Sequence, residues 1–178
     1  MSVLDQKPDE NRYTIIPRTL IFITRGEYVL LLRGDPEKKN WSGQYNGVGG
    51  HIEPGEDVLS AAQRELKEET GLDDQSLKLV GTVTIDTGQE TGIGLFVFQG
   101  EYQGGNLFPS EEGTAVWIPV DQISEFPLVE DLPTLIPRVM DRKQGDPPFS
   151  ATMCCHCCAT WLACLLKCMP RRASTMRP

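Results

Sequence analysis

The stretch Gly50 to Leu72, GHIEPGEDVLSAAQRELKEETGL, decides how the chain is read. Its middle predicts a helix. Asp57 supplies an N-cap oxygen, no glycine or proline interrupts Val58 to Thr70, and Gly71 follows as a stop. On that helix Glu65, Glu68 and Glu69 stand at i, i+3 and i+4 and share one arc of roughly 100°. Val58, Leu59, Ala62 and Leu66 project on an adjoining arc that fits against a sheet. Three carboxylates on one stripe repel each other and lower helix stability. A bound divalent cation turns that crowding into cohesion. Hard oxygen donors suit Mg²⁺, with Mn²⁺ the alternative ion, and such an ion shares itself with substrate phosphates. The bland alternative is a solvated acidic face.

The spacing of the whole stretch weighs against the bland alternative. It runs Gly50, five residues, Glu56, seven residues, then Arg64-Glu65-Leu66, one residue, Glu68-Glu69, one residue, Gly71-Leu72. This resembles, without a departure, the signature of the Nudix hydrolases, and the resemblance extends over most of residues 13 to 142. It implies an α/β fold, an α/β/α sandwich with a mixed β-sheet between helices. It also implies metal-dependent hydrolysis of a nucleoside diphosphate linked to another moiety.

Composition agrees with a globular domain of one core. All 25 acidic residues lie in residues 1 to 150, against 13 basic ones, a net charge of −12 for the body. Such a surface repels a nucleic-acid backbone, so no polymer partner is expected; a small nucleotide remains accessible through a metal. No signal peptide opens the chain and no run has the length of a membrane span, so no membrane partner is expected. The six cysteines all fall between Cys154 and Cys168, and the body is read as cytoplasmic. Monomer and homodimer both fit.

Around the central stretch the pattern alternates. Thr19 to Thr24 and Tyr28 to Leu32 predict a β-hairpin turned at Arg25-Gly26-Glu27. Gly34 to Ser42 reads as a loop, and Tyr45 to Ile52 as a glycine-rich strand. Leu77 to Asp86, Ile93 to Tyr102 and Ala115 to Val120 predict strands, and Asp121 to Glu125 a short turn or helix. Leu132 to Arg142 predicts a second helix, with Asp131 as N-cap and Pro137 as a kink or boundary. Two domains of composition result: 1 to 150 as the body, and 151 to 178 as a Cys-rich basic tail, expected to be poorly ordered and without part in catalysis.

The resemblance sorts the candidate site. Glu68 and Glu69 are expected to ligate metal, and Glu65 is either a ligand or the general base. The backbone carbonyl of Gly49 or Gly50 completes the coordination. Arg64 is expected to hold a carboxylate bidentately, with Glu56 as a candidate partner. Glu111 and Glu112 precede the strand Ala115 to Val120, and Glu112 is the better placed to reach the metal; the alternative is an exposed loop acid. Within the family the body is most similar to the MutT-like branch and its oxidised-purine nucleoside triphosphatases. Tyr45-Asn46-Gly47-Val48-Gly49-Gly50 resembles their W-N-G-F-G-G, and Leu128-Val129-Glu130-Asp131 their W-P-D-D. That makes Asn46, Glu130 and Asp131 candidate readers of a base edge, with Thr19 and Trp41 lining the same pocket.

The departures are Leu128 in place of a stacking Trp, Glu130 in place of a shorter acid, and His51 in place of a Lys. Asp131 is equally read as a helix N-cap alone, and His51 as a surface residue. No proline lies between Leu72 and Pro109, unlike ADP-ribose hydrolases of the family, and the motif of the NADH hydrolases is missing. The expected reaction is therefore a nucleoside triphosphate, such as 8-oxo-dGTP, cut to monophosphate and pyrophosphate. The rival is a non-catalytic nucleotide-sensing or RNA-end-binding module on the same fold.

Overall fold

The computed structural model describes residues 12–37, 41–73 and 75–154. Seven strands, β1 (Thr14–Arg25), β2 (Tyr28–Gly34), β3 (Tyr45–Asn46), β4 (Leu77–Asp86), β5 (Thr91–Glu101), β6 (Gly113–Pro119) and β7 (Phe149–Cys154), form one mixed sheet. Helix α1 (Val58–Thr70) lies between β3 and β4, and α2 (Leu132–Met140) between β6 and β7. The sheet runs β3-β2-β1-β5-β4-β7, with β6 also paired to β2. Two pairings are parallel, β1 with β5 and β4 with β7; the other named pairs are antiparallel. The fold is the α/β type expected.

Alternation along the strands separates two cores. Ile21, Ile23, Leu30, Leu32 and Phe98 pack with Ala62, Leu66 and Leu72 on the α1 face. Leu20, Phe22, Leu31, Val97 and Val83 pack with Leu132, Leu135, Ile136 and Val139 on the α2 face. The side-chain period of two makes each strand feed both layers, which is why the central strands read as continuous apolar runs.

α1 starts and stops where its sequence dictates. The Asp57 carboxylate accepts the N–H groups of Leu59 and Ser60, and Gly71, at φ 79°, gives its N–H to the Lys67 carbonyl. Leu59 is a correction: it is 39% exposed, and Ala61 is buried in its stead. The buried arc centres on Ala62 and on Glu69, which stand seven residues apart and so within about 20° of one line. A carboxylate therefore sits in the middle of the face that packs on the sheet.

Several boundaries differ from expectation. β1 begins five residues earlier, at Thr14, because its first half pairs in parallel with β5. Tyr45 to Ile52 is not one strand. After Asn46 it follows β1 only through isolated bridges, Ile21 to Val48 and Arg18 to His51, since glycines break the pleat. α2 ends at Met140 rather than Arg142. Asp131 occupies the N-cap position but its side chain makes no capping bond. β7 was not anticipated, and the boundary drawn at Ser150 falls inside it; it exists through its parallel pairing with distant β4. The remainder of the Cys-rich tail, 155 to 178, lies outside the described residues.

Candidate active site

The carboxylates of α1 do not form the simple stripe of three that the spacing implies. Glu69, at the centre of the buried arc, is 4% exposed and accepts the Gly49 N–H at 2.7 Å. Glu65 lies flat against Gly50, where a Cβ would stand 2.5 Å from its carboxylate oxygen. Glu68, at the rim of the arc, is turned outward with its side chain 60% exposed. Glu112, on the loop ahead of β6, is exposed but lies close enough to Glu69 to raise its carboxyl. The structure thus gathers Glu65, Glu69 and Glu112, with Glu68 at the edge.

Arg64 is the cation of this group. Its Nε and Nη2 hold both oxygens of Glu56, at 2.7 and 3.0 Å, in the bidentate pairing anticipated. Nη1 bonds Glu65 at 2.8 Å and Glu68 at 3.1 Å, and Nη2 bonds the His51 carbonyl at 3.0 Å. One guanidinium fork thereby ties the loop before α1 to two of its acids.

The electrostatics follow from this layout. Burial pushes the Glu69 carboxyl up to about 9; the Gly49 amide opposes the shift, and Glu112 and Glu65 add to it. Burial also raises Glu65, against the pull of Arg64 and with the push of Glu68 and Glu112. Arg64 holds Glu56 below its ordinary value. Among the described residues no three His, Cys, Asp or Glu side chains already converge with ligand geometry. Arg64 engages Glu65 and Glu68 there, and Glu69 is taken up by the Gly49 amide. The donor set nonetheless fits a small divalent cation. Four carboxylates with one neighbouring guanidinium leave negative charge uncompensated, and the most buried of them keeps a proton that a cation would displace.

The two glycines serve the site through their backbones. The Gly50 carbonyl accepts the Thr19 N–H at 2.9 Å, so part of its capacity is already used. Gly49, at φ 140°, contributes its amide to Glu69. Only glycine fits there, because a Cβ would stand 2.3 Å from the Thr19 carbonyl oxygen. The amide of Gly49 is a functional group that the reading of the sequence missed; the double glycine pointed to the place but not to the atom.

The candidate base readers are placed on different elements. Thr19 is buried, and its hydroxyl accepts the Gly50 N–H, bracing the glycine turn. Trp41, at φ 41°, packs its ring on Gly34 and belongs to the α1-face cluster. Leu128 and Val129, which lead into Glu130 and Asp131, belong to the α2-face cluster. Trp41 thus packs with the α1-face cluster, whereas the residues leading into the acid pair pack with the α2-face cluster. Asn46 does lie near that pair: Tyr45 bridges Leu128 in parallel, and the Val129 N–H bonds the Tyr45 carbonyl. The Asn46 amide oxygen accepts the Gly47 N–H. Glu130 is exposed, whereas burial raises the Asp131 carboxyl.

Comparison with known proteins agrees with this geometry. The family model described as the NUDIX domain matches residues 15–139. The chain is 30% identical over 127 residues to the oxidized purine nucleoside triphosphate hydrolase of Mus musculus, covering 71% of this chain and 80% of that one. It is 28% identical over 134 residues to the NAD-capped RNA hydrolase NudC of Stutzerimonas stutzeri, covering 74% of this chain but 46% of that relative. The crystal structure of the MutT protein from Bacillus halodurans superposes with a TM-score of 0.63 at 23% identity, over 78% of this chain and 89% of that one, a likeness of fold. A complete acidic box on a helix, a fourth carboxylate facing it and a family match over most of the chain lead to one conclusion: this protein belongs to the Nudix family and is a Nudix hydrolase.

Proposed function

We propose that the chain hydrolyses nucleoside triphosphates, an oxidised purine such as 8-oxo-dGTP among them, to the monophosphate and pyrophosphate with Mg²⁺. The observation that carries this reading is the buried Glu69 flanked by Glu65 and Glu112, a concentration of negative charge whose natural complement is a divalent ion. Hydrolases of this family generally use divalent metal ions. Here Glu65, Glu68, Glu69 and Glu112 would hold the ion, with the Gly49 amide fixing the orientation of Glu69. When bound, the ion supplies charge neutralisation for phosphate oxygens that the carboxylates alone would repel.

The chain's own residues do the rest. Arg64 fixes the rotamers of Glu65 and Glu68, which limits the reorganisation needed when substrate arrives. Water attacks one phosphorus of the triphosphate, and the anhydride bond to the leaving pyrophosphate breaks. The proton of that water goes to a carboxylate, for which Glu65 is the candidate if it does not itself ligate the ion. Asn46, Glu130 and Asp131 are the proposed contacts to the base. Asp131, with its raised carboxyl, serves as donor, and the Asn46 amide supplies donor and acceptor. Among the described residues no helix is long and apolar enough to cross a membrane, and the acidic body suits a small substrate in the cytoplasm.

The test is a panel of ordinary and oxidised nucleoside triphosphates, ADP-ribose and NAD-capped RNA, incubated with Mg²⁺ and scored for pyrophosphate and orthophosphate. Pyrophosphate release from a triphosphate supports the reading. Cleavage of the capped RNA alone would transfer the assignment to the chemistry of the NudC relatives. Binding of nucleotides with no cleavage would leave a sensing module.

A further inference from the structure

Glu112 stands on a loop, yet it must meet a buried carboxylate of α1, and the structure shows how that loop is aligned. After β5, the buried amide of Gln75 accepts the Gln103 N–H at 2.9 Å and donates to the Gly104 carbonyl at 3.2 Å. Leu107 then enters the α1-face cluster. The next residue, Phe108, gives its N–H to the Thr70 carbonyl at 2.9 Å, one of the carbonyls that a helix leaves unbonded at its C-terminus. Its ring lies on Gly71, where a Cβ would stand 2.4 Å from the ring edge. Four residues on, the Glu112 N–H bonds the Ser110 hydroxyl and the Ser110 N–H bonds the Gly113 carbonyl, a tight turn that holds Glu112 in the neighbourhood of Glu69.

Phe108 as a residue is 59% exposed, so hydrophobic burial alone does not account for its seat on the helix end. We propose that Phe108 is a positioning residue: by docking on Thr70 and Gly71 it indexes the loop to the helix that carries the acidic box, and so sets Glu112 against Glu69. The end of α1 thereby serves as the template for the acid that its own side chains lack. Gly71 has a second use besides ending the helix, since a side chain there would displace the ring. The inference rests on the assignment of Glu112 to the metal site made above.

Mn²⁺ binding to nucleotide-free protein, followed by electron paramagnetic resonance, tests it apart from turnover. The proteins are wild type, Phe108→Ala, Phe108→Leu, Glu112→Gln and the double variant Phe108→Ala/Glu112→Gln. Phe108→Ala is expected to weaken Mn²⁺ binding by about tenfold, as loss of an orienting partner commonly does. Glu112→Gln should weaken it comparably, the double variant no further than either single one, and Phe108→Leu should restore most of it. Unchanged binding in Phe108→Ala overturns the proposal. Multiplying losses in the double variant overturn it too, because Phe108 would then act independently of Glu112. Wild-type binding by Glu112→Gln overturns it through the ligand assignment, while failure of wild type to cleave any nucleotide strikes the proposed function instead.

Discussion

Replacing Arg64 by alanine gives the sharpest account of what the site costs without a cation. The guanidinium makes five hydrogen bonds, to Glu56 twice, Glu65, Glu68 and the His51 carbonyl. The bond to Glu68 is exposed and the pair with Glu56 is only partly buried, and pairs open to solvent contribute little. The bond to Glu65 is different, because that carboxylate is only 13% exposed and lies beside Glu68 and Glu112. One charge-assisted bond to such a group is worth about 1.5–3 kcal/mol, and its loss leaves Glu65 facing like charges alone. For a domain of this size that corresponds to a fall in the unfolding midpoint of roughly 5–10 °C. The assay is thermal unfolding near neutral pH in the presence of a chelator. Arg64→Lys should recover less than half of the loss, since an ammonium cannot serve Glu56 bidentately and Glu65 together. A midpoint within about 2 °C of wild type would refute the view that Arg64 holds the acids in register.

Other outcomes follow from the same geometry. Glu68→Gln should keep the wild-type unfolding midpoint, because the side chain is largely exposed, yet lose most pyrophosphate release. Glu69 keeps a proton in the folded state up to about 9 that the unfolded chain loses near 4.5, so between these values the folded state binds more protons and stability falls as pH rises. Metal-free protein should show that decline in unfolding midpoint across neutral pH, and Glu69→Gln should flatten it. Gly49→Ala and Gly50→Ala should separate backbone from side-chain effects. The first forces a Cβ onto the Thr19 carbonyl at a positive φ and should cost of order 1–3 kcal/mol in chemical denaturation. The second meets the Glu65 carboxylate, the far end of a side chain, so it should cost less stability than the first and depress turnover. Removal of divalent metal by a chelator should abolish nucleotide cleavage reversibly.

The sequence by itself determined α1, both its caps and the identity of its acids, because those depend on local spacing: Asp57 and Gly71 act on amides and carbonyls within a few residues. It determined the Arg64–Glu56 pairing for a related reason, since both flank the same helix start. Most strands were legible from apolar runs, and the hairpin from Gly26. What only the tertiary structure decided are the relations between distant segments. Helical periodicity grouped Glu65, Glu68 and Glu69 together, but the sheet chooses which side of α1 is covered, and it buries Glu69 while leaving Glu68 in solvent. Trp41 and the residues leading into Glu130 and Asp131 pack with different clusters, a relation no local pattern carries. β7 has no local signal, because a parallel edge strand is stabilised by a partner some seventy residues away. The docking of Phe108 on Gly71 is of the same kind: a glycine that ends a helix is visible in the sequence, and the ring it makes room for is not.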